Sequence, residues 1–157
     1  AFKKVHDEFP EERLVICGRT QTEMGIKELI EKLELEDSVI LLGQRENVPE
    51  ILSKAKLFVL SSDYEGMPNA LMEAMAVGVP AISTDCPCGG PKELFGEELK
   101  NCLIPVGDID ALAKKMISFL QDDNKRKIVA DKLNQRAQTF QADIIGKMWI
   151  NYIKELC

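Results

Sequence analysis

Long apolar runs are missing from this 157-residue chain, and none of its hydrophobic stretches approaches the roughly 20 residues that cross a bilayer. The opening Ala1-Phe2-Lys3-Lys4 has no apolar signal core, so the expectation is a cytoplasmic protein, with peripheral attachment at the inner face of a membrane as a variant for a longer parent. Positive charge is in deficit: 20 Lys and Arg stand against 26 Asp and Glu, for a net charge of −6. Neutralising a phosphate backbone needs clustered cations, so no nucleic-acid partner is expected. Histidine occurs once, at His6, and Cys-x-x-Cys spacing does not occur. Cys86-Pro87-Cys88 can be read as a redox or metal pair, but without a second ligand pair no metal is expected. The five cysteines, Cys17, Cys86, Cys88, Cys102 and Cys157, are odd in number and irregularly spaced, which fits reduced thiols. There is no initiator Met, and the chain reads as a piece of something longer.

What is present is ordinary for a soluble globular protein: 45% hydrophobic and 29% charged residues, enough for a single domain over 1–157 with one core. Short apolar runs at Leu14–Cys17, Val39–Leu42, Leu57–Leu60, Pro80–Ser83 and Cys102–Ile104 read as buried strands. Helical periodicity separates them, at Glu23–Leu35, Val48–Ala55 and Asn69–Val77, the last ended by Gly78 and Pro80. The alternation predicts an α/β fold, a doubly wound and mostly parallel sheet whose ligand crevice lies at the C-terminal ends of the strands. Beyond the last strand, helices are predicted at Ile109–Leu120, Asn124–Thr139 and Ala142–Leu156, with Asp108 as N-cap of the first.

Two features of the ends carry expectations. Phe2, Val5 and Phe9 look like the end of a helix, which places the strand preceding it ahead of Ala1, and the first strand of such a sheet is usually central. A sheet lacking it is expected to self-associate. The helix in 142–157 gathers Ile145, Met148, Trp149, Tyr152, Ile153 and Leu156 on one broad face. Packing on the sheet and docking on another domain both account for that face.

The chemistry is concentrated in Ser61–Pro80, where a strand runs through Asp63-Tyr64-Glu65-Gly66-Met67-Pro68-Asn69 into a helix. The N–H groups of a first helical turn have no intrahelical acceptor and attract anions, phosphate above all. Glu65 lies before that turn and Glu73 one turn inside the helix. Carboxylates repel phosphate but accept hydrogen bonds from hydroxyls, so a phosphate flanked by polyols suits the pattern. Two surface glutamates suit it as well.

The run from Glu65 to Glu73 resembles the E-x7-E motif of family-4 retaining glycosyltransferases, whose GT-B fold sets two Rossmann-like domains face to face. Leu14–Gly18, Val39–Gly43 with Asn47-Val48, Ala55–Ser61, Pro80–Asp85, Gly89–Leu94 and Leu103–Asp108 are similar to that family's C-terminal, donor-binding domain, so the resemblance covers about Phe2 to Leu120. It implies that Glu73 binds the donor ribose and that Glu65 is catalytic, orienting the hexose and stabilising charge at the anomeric carbon. Backbone N–H groups of Gly66, Met67, Asn69 and Ala70 would face the sugar and distal phosphate, Pro68 having none to give. The base would lie near Gln44, Arg45 and Val48, and Gly18 would approach the ligand; a solvated loop charge is an equal reading of Arg45.

Departures accompany the match. Arg19-Thr20-Gln21 stands where the family commonly has a second glycine, and the phosphate-clamping Arg and Lys that follow the family's first strand have no counterpart by motif. Lys92 can add charge, but an ordinary surface lysine is the simpler reading. The implied reaction moves a hexosyl group from a nucleotide diphosphate sugar to an acceptor hydroxyl, in glycan or cell-surface polysaccharide synthesis, with retention and without metal or other cofactor. A glycan, lipid-linked or small-molecule acceptor would sit on a missing N-terminal domain. The alternatives are a catalytically inactive nucleotide-sugar-binding fragment and an epimerase-like domain.

Overall fold

The computed structural model describes residues 1–18 and 23–156. Its order is α1 (Phe2–Glu8), β1 (Leu14–Cys17), α2 (Glu23–Lys32), β2 (Val39–Gly43), α3 (Val48–Ser53), β3 (Phe58–Leu60), α4 (Asn69–Val77), β4 (Ala81–Thr84), α5 (Gly90–Phe95), a 3₁₀ segment (Glu97–Cys102), β5 (Leu103–Ile104), α6 (Ile109–Leu120), α7 (Asp123–Gln138) and α8 (Ala142–Leu156). The predicted α/β alternation holds, and all three strand pairings are parallel. Local chemistry explains several ends. Asp108 accepts the Ala111 amide at 2.8 Å and caps α6 as expected, and Asp122 does the same for α7 through Lys125. Gly78 closes α4 at φ 84°, a left-handed conformation that glycine adopts without penalty. Helix α5 is an element that the sequence reading does not predict; proline in its first turn begins it.

The core gathers on β4, whose four residues are all buried. Leu71 and Met75 of α4, Leu94 and Phe95 of α5, Met116 and Phe119 of α6 and Leu133 of α7 pack with Ile82 and Ile104. Phe119 and Leu133 are fully buried, so truncating either would open a cavity costing about 2–5 kcal/mol.

The single sheet expected from the sequence is divided. Strands β1 and β2 form one parallel pair, and β3, β4 and β5 form a second sheet in that order. Between them lies a cavity of about 530 Å³ with Leu14, Val15 and Cys17 of β1 on one wall and Leu57, Phe58 and Val59 on the other. Each of β1 and β3 is paired on one side only, so two strand edges face each other across an apolar space. Helix α8 also corrects one of the two readings of its sequence: it buries none of its residues, and Met148, Trp149 and Tyr152 are all more than half exposed. Packing of that stripe on the sheet is therefore ruled out.

Candidate functional site

Parallel strands send their following loops to one end of the molecule, so the segments after β1, β2, β3 and β4 share a rim. The amide of Gly18 donates to the carbonyl of Gly43 at 3.0 Å, which ties the exits of β1 and β2 together. Gly18, Gln44, Arg45, Val48, Ala70 and Glu73 all line the same cavity, although they lie on three separate stretches of chain. Glu73 is exposed, and Arg45 is exposed beside Gln44. Arg19-Thr20-Gln21, where the family resemblance breaks, lies outside the described residues.

Glu65, Gly66, Met67, Pro68 and Asn69 are not part of that cavity wall but form the turn that enters α4. Pro68 is the buried N-cap residue, and its carbonyl accepts from Leu71 and Met72, both at 3.1 Å. Asn69 and Ala70 start the helix, where an N–H has no carbonyl four residues back to bind. Half-buried Glu65 is held from two directions. Ser62 Oγ donates to Glu65 Oε1 at 2.7 Å, while the Glu65 amide donates to the Pro87 carbonyl (2.8 Å) and the Glu65 carbonyl accepts from Cys88 (2.9 Å). Thr84 Oγ1 adds a hydrogen bond to the Ser62 carbonyl. The loop after β3 is thus zipped to the loop after β4.

That second loop is what sequence reasoning missed. Cys86-Pro87-Cys88 attracts notice as a metal or redox pair, yet Cys86 is buried at 2% exposure and Cys88 is exposed, with its Sγ 2.9 Å from Tyr64 Oη. The contact with Cys88 raises the Tyr64 phenol above its ordinary pKa. The available signal was the glycine pair that follows, which marks a close approach of backbones. Lys92 is exposed on the first turn of α5. Asp108-Ile109-Asp110 is an Asp-x-Asp triplet, a spacing that a reading of the sequence as free of that motif overlooks; Asp108 Oδ1 accepts from Ala111, and Asp110 pairs with Lys4.

The family described as group 1 glycosyl transferases matches residues 1–137. An uncharacterized glycosyltransferase of Methanocaldococcus jannaschii is 31% identical, over 95% of this chain and 43% of its own length. The N-acetylgalactosamine-N,N'-diacetylbacillosaminyl-diphospho-undecaprenol 4-alpha-N-acetylgalactosaminyltransferase of Campylobacter jejuni is 30% identical over 90% of this chain and 38% of its own. The pneumococcal O-GlcNAc transferase GtfA, solved with UDP and GlcNAc, superposes with a TM-score of 0.81 at 28% identity, covering 98% of this chain and 32% of that one. S. aureus TarM shares the fold with a TM-score of 0.86 at 24% identity, over 95% of this chain and 30% of its own. The chain spans less than half the length of these relatives. A match over residues 1–137, together with the E-x7-E turn at the strand exits, places the chain in the group 1 glycosyltransferases.

Proposed function

We propose that this chain is the donor-binding half of a retaining glycosyltransferase, which moves a hexosyl group from a nucleoside diphosphate sugar to an acceptor hydroxyl. The observation that carries the reading is the convergence of Gly18, Gln44, Arg45, Val48, Ala70 and Glu73 on one cavity beside the braced Glu65 turn. In this reading the base lies against Gln44, Arg45 and Val48, and the ribose hydroxyls donate to Glu73. The phosphates face the amides of the first turn of α4, and the sugar lies toward Glu65, Gly66 and Met67. As the bond from the anomeric carbon to the phosphate oxygen breaks, its electrons leave with the diphosphate. Fixed amide dipoles stabilise that growing charge, and Glu65 faces the positive charge left on the ring. Neither role calls for a metal.

A uridine nucleotide is supported by the UDP in the GtfA complex, and a lipid-linked acceptor by the name of the Campylobacter relative. The acceptor would be bound by a second domain, and the work would be done in the cytoplasm, soluble or at the inner face of a membrane. Among the described residues no helix is long and apolar enough to cross one.

Calorimetry with uridine and guanosine diphosphate tests the donor site. Binding is expected for one of them, and Glu73→Ala should weaken it by about 1–3 kcal/mol, the range for lost charge-assisted hydrogen bonds. Unchanged affinity removes the ribose assignment. No binding of either nucleotide overturns the reading.

A further inference from the structure

A β-carbon built on Gly90 would stand 1.6 Å from the carbonyl oxygen of Gly66, 2.7 Å from its carbonyl carbon and 3.0 Å from Pro68 Cδ. These are backbone and ring atoms, so no rotamer change relieves the overlap. Gly90 is not among the glycines with positive φ; its backbone would tolerate a side chain, and only the space forbids one. The start of α5 is therefore pressed against the turn that holds Glu65.

Which side would yield to a side chain follows from how each is anchored. Leu94 and Phe95 bury α5 in the core, and Pro91 is buried beside Gly90. Arg136 of α7 holds the end of α5 by donating to the carbonyls of Leu94 (3.0 Å) and Glu93 (2.7 Å). Gly66 and Met67, by contrast, are exposed. The turn is held by the paired amides of Glu65 and Cys88, by the Ser62 hydroxyl on Glu65 and by Pro68, which itself lies against Gly90.

We propose that Gly90 is a positioning residue for the donor site: by bringing α5 against Gly66 without a side chain, it sets the Glu65–Met67 backbone at the depth where it meets the transferred sugar. The inference rests on the proposed function for what the turn meets, but not for the contact itself. Gly90 acts through the turn and touches no substrate. Its loss should damage recognition of the sugar more than recognition of the nucleoside, because the close contact at Gly90 falls on Gly66 and Pro68 rather than on Glu73 or the Gln44–Arg45 loop.

The test compares Gly90→Ala with Gly78→Ala, a control strained by its φ of 84° at the far end of α4 and away from the turn. Amide hydrogen exchange, UDP affinity, UDP-glucose affinity and thermal melts are measured on the same proteins. For Gly90→Ala, exchange at the Glu65 and Cys88 amides should quicken by about tenfold or more beyond the control, and UDP-glucose affinity should fall about fivefold or more while UDP affinity changes less than about twofold. Unchanged exchange, or equal loss of both ligands in step with the melting temperature as in the control, overturns the positioning role. If the unaltered chain binds neither UDP nor UDP-glucose, exchange alone decides the contact: quickening as stated upholds it and its absence overturns it, while the donor-site reading is decided by the titrations with uridine and guanosine diphosphate. Should Gly90→Ala not fold, exchange in the unaltered chain decides: protected Glu65 and Cys88 amides are required, and exchange at the rate of an unstructured peptide overturns the proposal.

Discussion

Asn134 reaches from α7 to the end of α4 and donates through Nδ2 to the carbonyls of Met75 (3.2 Å) and Ala76 (2.9 Å). The last carbonyls of a helix are short of intrahelical donors; that of Met75 takes the Gly78 amide, and the Asn134 side chain adds a donor to it and one to Ala76. The helix that presents Glu73 is thereby closed at its far end by an element distant in sequence. Asn134→Ala should cost about 1 kcal/mol, or about 2–4 °C in melting temperature for a domain of this size. Nucleotide affinity should be unchanged, since the first turn of α4 is untouched. A melt identical to that of the parent would show that water replaces the amide at no cost.

Ser62 is the side-chain partner of Glu65, at 2.7 Å. A carboxylate that keeps one hydroxyl loses rotamer freedom before any ligand arrives, which lowers the ordering cost of binding. Ser62→Ala should weaken UDP-sugar binding by about twofold to tenfold, on the scale of the net worth of one ordinary hydrogen bond, and leave UDP binding within error. Paired calorimetric titrations check this. An equal effect on both ligands would move Glu65 away from the sugar.

Much of this was legible in the sequence for identifiable reasons. Leu14–Cys17 and Asn69–Val77 have the observed bounds because a short apolar run, and a periodic run stopped by Gly78, are local signals. The E-x7-E spacing is equally local, and it located the Glu65 turn. What failed was non-local. Cys86–Gly90 shows its use only where the fold lays it against Glu65. The face of α8 is apolar in both of its sequence readings; only its exposure in the fold removes packing on the sheet.

The first and sixth helices are joined by Lys4 and Asp110. The hydrogen bond from Lys4 holds the Asp110 carboxyl below the usual carboxylate range. A depressed folded-state pKa means that the contribution is present above the unfolded value and disappears as pH falls through the folded one. Asp110→Asn should therefore lower the melting temperature slightly at neutral pH and not at all in acid, where the native carboxyl is protonated too. Both partners are more than half exposed, so salt should shrink the difference. A gap that is equal at neutral and acid pH would assign the effect to something other than the ion pair.

Trp149 is the only tryptophan, 61% exposed, with Tyr152 edge-on at 6.3 Å between ring centroids. Met148, Ile153 and Leu156 extend the same apolar helix into solvent. A surface of this kind finds a partner or drives association. Trp149 emission should be that of a solvated indole in dilute protein and shift to the blue as concentration rises. Trp149→Glu should abolish the shift. Emission independent of concentration would mean that α8 stays open to water in the isolated chain.

The facing edges of β1 and β3 make the last prediction. Each edge presents backbone N–H and C=O groups without a ladder partner, and the walls between them are apolar, with Val15 42% exposed and Phe58 and Val59 half-buried. One strand lies about 4.8 Å from each neighbour, so a single added strand running parallel to both would join the two sheets into one and fill the apolar part of the cavity. A strand followed by α1 and then β1 is a βαβ unit, whose crossover is right-handed and which puts the added strand in the same sheet as β1. Where the parent sequence continues ahead of Ala1, including about 30 of those residues, the scale of a βαβ unit, should raise the melting temperature and remove concentration-dependent light scattering. The rim residues Gly18, Gln44, Arg45 and Glu73 border the same cavity, so nucleotide affinity should rise with stability. The 157-residue chain should give no glycosyl transfer, since the leaving diphosphate is stabilised from one side only. A short chain that is monomeric, melts as high as the longer one and turns over donor would mean that the two sheets are complete as they stand.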